Sequence, residues 1–291
     1  MIRINDYNAK ELDIYVRLNE NQLKTIYEPA AGLFVAESPM VVERALAAGY
    51  EPVSMLVSDE AVDEYDIVNV VKDRYPLAPI YIGAPKVLDK IRGYQLTRGV
   101  LCAMKRKPYR SVEDVIRNAK RIAILNDVEN PSNIGAIIRS AAAMFVDAVI
   151  LTPECADPLY RRAARVSVGT VFGMPYTYSY CLTEKENIGA KSCTEGNEML
   201  YNVLHKNGYK IAALALDDRS ISIDNPVLLE EGKLAIMLGN EGYGLSDTDI
   251  RMCDYTVKIP MAEGIDSLNV AAASAVAFWE LRNIQGGNGN E

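Results

Sequence analysis

The sequence predicts an α/β protein whose C-terminal part is a parallel sheet and whose N-terminal part is a smaller α/β domain. Two observations carry this. From Leu33 onward, short β-branched runs alternate with runs of helical periodicity, the pattern of strands connected by helices. In the second half, five of those runs are apolar at nearly every position, as strands buried on both faces of a parallel sheet must be.

LFVAE, Leu33 to Glu37, reads as a strand. Ser38 stands where it can cap the following helix, with Pro39 at the first helical position and Gly49 just past the end. VSMLV, PIYIG and GVLCAMK are further strands with helices between them, and they complete a first domain over residues 1–107. KRKPYRS reads as a basic linker. Ser111 with Asp114 three residues later has the form of a capping box, so residues 108–118 hold the linker and a helix start. The second domain, residues 119–285, runs through RIAILND, DAVILT, KIAALALD, KLAIMLG and YTVKIP. Its last helix, from about Ser267 to Asn283, is small or apolar on nearly every face, which predicts deep burial or a subunit interface. The tail GGNGNE over 286–291 is expected to be disordered.

Composition narrows the function. Hydrophobic residues make up 49% and charged residues 24% of the 291, the balance of a folded globular protein of two ordinary domains. Without a long apolar run, and with charges in MIRINDYNAKELD where a signal peptide needs an apolar stretch, the cytoplasm is the expected compartment. Five widely spaced cysteines and the single His205 give neither a disulfide framework nor a metal set, and they leave no histidine-based triad. A net charge of −8 excludes coating nucleic acid by bulk electrostatics. Contact with nucleic acid would have to be local, at Lys105, Arg106, Lys107 and Arg110, or at Arg161, Arg162 and Arg165.

Ligands of parallel sheets bind at loops beyond the carboxyl ends of the strands, and three such loops are unusual. After RIAILND, Asn133 opens a helix with an apolar stripe of Ile134, Ile138, Ala141 and Phe145. Arg139 flanks that stripe, with small Gly135, Ala142 and Ala143 on its own face. After KLAIMLG, Gly239, Gly242 and Gly244 surround Asn240 and Glu241. These glycines permit close backbone approach, while phosphate-loop signatures are absent. After YTVKIP, Ser267 and Asn269 precede the last helix, as caps or as polar groups beside its free N–H groups. Each loop taken singly also fits a plain structural role.

Their combination and order are specific. NPSNIGAIIRSAAAMF, LAIMLGNEGYGLS and VKIPMAEGIDSLNVAAASAVAFWE resemble the three motifs of the SpoU/TrmH family of RNA ribose 2′-O-methyltransferases, within the SPOUT superfamily. DPLYRRAARVSVGTVFGMPY is similar to the segment between the first two motifs. The resemblance spans about Arg121 to Leu281. It continues more weakly in LFVAESPMVVERALAAGY and TRGVLCAMK, which are similar to the family's L30e-like RNA-binding domain. It implies a SPOUT domain with a deep trefoil knot, S-adenosylmethionine as cofactor, a homodimer, no metal, and an RNA substrate. Structured 23S ribosomal RNA is the preferred target because of the L30e-like domain. A transfer-RNA ribose methyltransferase and a catalytically silent ribosome-associated RNA-binding protein are the alternatives. On matching positions, Asn133, Arg139, Glu241, Ser267 and Asn269 are implied in catalysis or its structuring. Leu216, Gly239, Ile259, Met261 and Leu268 are implied at the cofactor. Arg139, Arg165, Arg106 and Arg110 are the candidate RNA contacts. The chain departs from the pattern at Phe145–Val146, where the family usually has Phe-Gly, and at Ala271, often a serine.

Overall fold

The computed structural model describes residues 1–283 except 29, 85–86, 89–90, 92–98, 183–192 and 266. The tail expected to be disordered lies outside the described residues. Two compact units are formed, Met1–Pro108 with Pro158–Gly173, and Tyr109–Asp157 with Met174–Glu291.

The first unit holds a five-stranded mixed sheet of β1 (Ile2–Ile4), β2 (Leu33–Glu37), β3 (Pro52–Ser58), β4 (Ile80–Gly83) and β5 (Val100–Lys105), in the order β1-β4-β3-β5-β2. Strand β5 runs antiparallel to both β2 and β3, and β4 is parallel to β1 and β3. Leu33, Leu56, Leu101 and Ala103 are buried with Leu12 and Leu88 in one core. Pro39 opens the helix Pro39–Ala47 as expected, but Ser38 does not cap it. Ser38 takes a φ of 88°, its hydroxyl makes no capping bond, and its N–H extends the sheet by donating to Val100 O at 3.0 Å.

Residues 158–173 pack with this unit although their motif belongs to the second domain's sequence pattern. Phe172 lies 5.6 Å from Phe34 and 5.2 Å from Tyr50, centroid to centroid. Glu37, 1% exposed, receives Arg161 Nε at 2.8 Å and Arg165 at 3.1 Å. Neither partnership is visible in local periodicity.

Among the described residues, the second unit holds seven strands, all parallel, in the order β10-β12-β9-β11-β6-β7-β8. They are β6 (Arg121–Leu125), β7 (Ala148–Leu151), β8 (Tyr176–Tyr178), β9 (Lys210–Leu214), β10 (Ile221–Ser222), β11 (Leu234–Leu238) and β12 (Tyr255–Lys258). The five apolar runs are the five inner strands, and the two edge strands are too short for a pattern. On one face of the sheet, Ile122, Ile124, Ile211, Ala235 and Met237 are buried with Leu200 and Leu204 of the helix Cys193–Lys206. Each such large side chain contributes about 1.5–3 kcal/mol by leaving water.

Ser111 caps the short helix Val112–Ile116 by accepting from Asp114 N at 3.1 Å. The last helix spans Val270–Glu280, shorter than the sequence suggests, and is neither wholly buried nor wholly exposed. Val270, Ser274, Ala277 and Phe278 are buried, while Val276 and Trp279 are 42% and 57% exposed. It packs against the helix Pro131–Ala143.

Candidate functional site

Strands β12, β9, β11 and β6 lie side by side, so the loops leaving their carboxyl ends are neighbours at one edge of the sheet. Three of these loops are joined by side chains. The loop after β6 leads through Asn130, whose side chain accepts from Ser132 N at 2.9 Å and caps the helix that Pro131 opens. This cap sets Asn133 on the first helical turn. Asn133 Nδ2 donates to Glu241 Oε1, from the loop after β11, at 2.8 Å. The same carboxylate oxygen accepts from Asn130 N at 3.3 Å. Asn269 Nδ2, from the segment after β12, donates to Asn133 Oδ1 at 3.3 Å.

Both amides are oriented by this chain. Asn269 Oδ1 accepts from Ala271 N at 3.0 Å, capping the last helix. That leaves its Nδ2 to face Asn133. At the other end the Glu241 carboxylate only accepts, so a flipped Asn133 would set oxygen against oxygen. The capping place expected of either Ser267 or Asn269 is therefore taken by Asn269. Ser267 stands exposed two residues ahead of it, with no hydrogen bond among the described residues.

The loop after β11 is closed on itself. Asn240 and Gly244 exchange both backbone hydrogen bonds, at 3.1 and 3.0 Å, and Asn240 Oδ1 accepts from Gly242 N at 2.7 Å. Asn240 Nδ2 reaches Asp127 O, at the end of β6, at 2.8 Å. A Cβ on Gly239 would lie 2.6–2.8 Å from the backbone of Gly244 and Leu245, so only glycine allows this turn.

Arg139 follows Asn133 by six residues, about 9 Å along the helix axis. It is exposed and makes no ion pair or hydrogen bond among the described residues. Its charge, unpaired among the described residues, is available to an outside anion. Leu216, Ile265 and Leu268 are 58%, 55% and 43% exposed, and Ile259 and Met261 half-buried. Leu216 follows the end of β9, and the other four follow the end of its neighbour β12.

A model of the SpoU rRNA Methylase family matches residues 120–279. The chain belongs to this family. A relative in Mycobacterium bovis, named an uncharacterized tRNA/rRNA methyltransferase, is 33% identical across 94% of this chain and 89% of its own. Among solved structures, the AdoMet-bound rRNA methyltransferase of Sinorhizobium meliloti superposes with a TM-score of 0.72 at 21% identity, covering 96% of each chain. A solved RNA 2′-O ribose methyltransferase gives 0.68 at 21% identity, covering 96% of this chain and 98% of its own. These two likenesses show a shared fold.

The remaining residues implied by the SpoU resemblance are placed as follows. Arg110 is exposed and donates to Asp114 O at 3.1 Å. Arg165 is 40% exposed and shares Glu37 with Arg161. Arg106 is placed differently from the expectation of a phosphate contact. It is 8% exposed, with Nε donating to Leu33 O at 2.9 Å, so its guanidinium is spent on the first unit's own backbone. At the position where the family usually has Phe-Gly, Phe145 ends its helix with a φ of 60° and is 68% exposed, while Val146 is buried.

Other chemistry is poorly supplied. Burial pushes the thiol of Cys155 up to about 11 and that of Cys253 to about 12, and raises Cys102 further, so none of these is a thiolate at neutral pH. No metal-binding group of side chains and no helix long and apolar enough to cross a membrane occurs among the described residues.

Several residues that shape the site escaped the sequence reading. Asn130 carried a signal in the Asn-Pro pair of a helix start, and Asp249 one in the Ser-x-x-Asp spacing from Ser246. Asp127, with a φ of 57°, carried none.

Proposed function

We propose that this chain transfers a methyl group from S-adenosylmethionine to a ribose 2′-hydroxyl of structured RNA, with 23S ribosomal RNA as the substrate. The observation that carries this is the hydrogen-bonded chain Glu241–Asn133–Asn269, which joins three loops at the start of the helix that also presents Arg139, unpaired among the described residues. S-adenosylmethionine, which the solved S. meliloti relative holds, suits the apolar side chains of Leu216, Ile259, Met261 and Leu268, which follow the adjacent strands β9 and β12, and the tightly folded Gly239 turn after β11. When bound it supplies an electrophilic methyl group on a sulfonium.

The chain's own residues then have distinct tasks. A ribose hydroxyl is a weak nucleophile, so it must be held in line and its developing negative charge offset. Asn133, Asn269 and Ser267 orient the ribose, and Glu241 fixes Asn133 through its accepting oxygen. Arg139 works by charge. It holds the phosphate beside the target ribose and favours loss of the hydroxyl proton to solvent water. Arg110 and Arg165 contribute phosphate contacts, and the first unit serves as the RNA-binding domain. Val276 and Trp279, exposed on the last helix, support a homodimer.

Tritiated S-adenosylmethionine and total RNA test the reading. Wild-type protein labels ribosomal RNA at a 2′-oxygen, and Arg139→Ala loses label by about 100-fold or more while keeping its stability. Label confined to transfer RNA would move the substrate, and no label on any RNA would overturn the enzyme.

A further inference from the structure

We infer that Asp249, with Asn126 and Tyr201, is a positioning device for the cofactor loop, which rests on the methyl-transfer reading above. Asp249 belongs to the short helix Asp247–Met252 that follows the glycine loop. Its carboxylate collects four donors. Oδ2 accepts from Asn126 Nδ2 at 3.0 Å and Ser246 Oγ at 2.6 Å, and Oδ1 accepts from Tyr201 OH at 2.6 Å and Asn197 Nδ2 at 3.4 Å. Asn126, Asn197 and Tyr201 are 4%, 8% and 1% exposed.

Helix capping does not require this arrangement. The cap is complete in the bond from Asp249 N to Ser246 Oγ at 3.1 Å. Three of the four donors come from outside the loop and its helix, two from the helix Cys193–Lys206 and one from the end of β6. Asn126 is the residue through which β6 enters its own loop. Its N–H donates to Leu238 O, the last residue of β11, at 2.8 Å, and the next residue, Asp127, receives Asn240. The glycine loop is thus pinned to β6 at its start by Asn240 and at its finish by Asp249. Only an acceptor on both oxygens satisfies all four donors, because an amide would point N–H at N–H or O–H. A loop that contacts its ligand through backbone has no side chains to compensate for a shifted root, so its fixing decides affinity for the cofactor.

The test is isothermal titration of S-adenosylmethionine, combined with KM values for cofactor and RNA. Asp249→Asn is expected to weaken cofactor binding tenfold or more and raise its KM in parallel, with KM for RNA within twofold of wild type. Asn126→Asp combined with Asp249→Asn exchanges acid and amide across the 3.0 Å contact and is expected to recover most of the loss. Tyr201→Phe, which removes a single donor, is expected to weaken binding about threefold and serves if Asp249→Asn does not fold. Wild-type affinity in both Asp249→Asn and Tyr201→Phe, or no recovery in the exchange, overturns the inference while leaving the methyltransferase standing. Failure of wild-type protein to bind the cofactor overturns both.

Discussion

Glutamine at position 241 separates two tasks a carboxylate can perform in this site. In the structure Glu241 Oε1 accepts from Asn133 Nδ2 at 2.8 Å and from Asn130 N at 3.3 Å, and both bonds need an acceptor rather than a charge. Glutamine keeps a carbonyl oxygen there and turns its NH2 outward. The loss is the difference between a charge-assisted bond, about 1.5–3 kcal/mol, and a neutral one, about 0.5–1.5 kcal/mol. Only the 2.8 Å contact is strong, so about 1 kcal/mol is lost, roughly fivefold in rate at 1.4 kcal/mol per decade. Glu241→Ala removes the acceptor, frees the Asn133 amide to turn, and should cost tenfold or more beyond that. The assay is single-turnover methyl transfer to RNA under saturating cofactor, followed across pH. A base would behave otherwise: its replacement by glutamine costs about 100-fold to 10,000-fold and removes the acidic limb of the profile. If Glu241→Gln is as inactive as Glu241→Ala and loses that limb, the orienting role is wrong.

Other substitutions probe the scaffold. Gly239→Ala forces a Cβ to within 2.6–2.8 Å of backbone and should lower stability by about 1–3 kcal/mol, seen as a lower denaturant midpoint together with loss of cofactor binding. Phe145→Gly releases a left-handed non-glycine residue at a helix end and should raise stability by about 1 kcal/mol; an unchanged or lower melting temperature would mean the exposed ring earns more than its backbone costs. Glu37→Gln leaves Arg161 and Arg165 without their buried carboxylate. Breaking such a pair costs about 3–5 kcal/mol when fully buried, and these arginines are 30% and 40% exposed, so about 2 kcal/mol is expected in chemical denaturation.

The sheet was legible where strands are buried on both faces. RIAIL and LAIML cannot be read otherwise, because no face of theirs meets water. The edge strands β8 and β10, three and two residues long, hold their places by pairing with a neighbour, and pairing leaves no mark on so short a run. Residues 158–173 read as part of the second domain because their motif lies there. Their packing follows Phe172 against Phe34 and Tyr50, a choice made in space. In the site, residue types were readable and their mutual bonds were not. Asn133 could be singled out by its helix start, but its partners Glu241 and Asn269 lie 108 and 136 residues away. Arg106 and Arg110 look alike in a basic linker, and only the path of β2 decides that one of them turns inward.

Those separations also govern when the protein can begin to work. The Asn133–Glu241 bond needs residue 241, and Asn269 contributes only once the last helix has somewhere to dock. A nascent chain can pair β6 with β7 early, since these strands are close in sequence, yet β11 must later insert between β6 and β9. Contacts of such range form slowly. The polar relay, closed by bonds across 108 and 136 residues, is therefore among the last features to form.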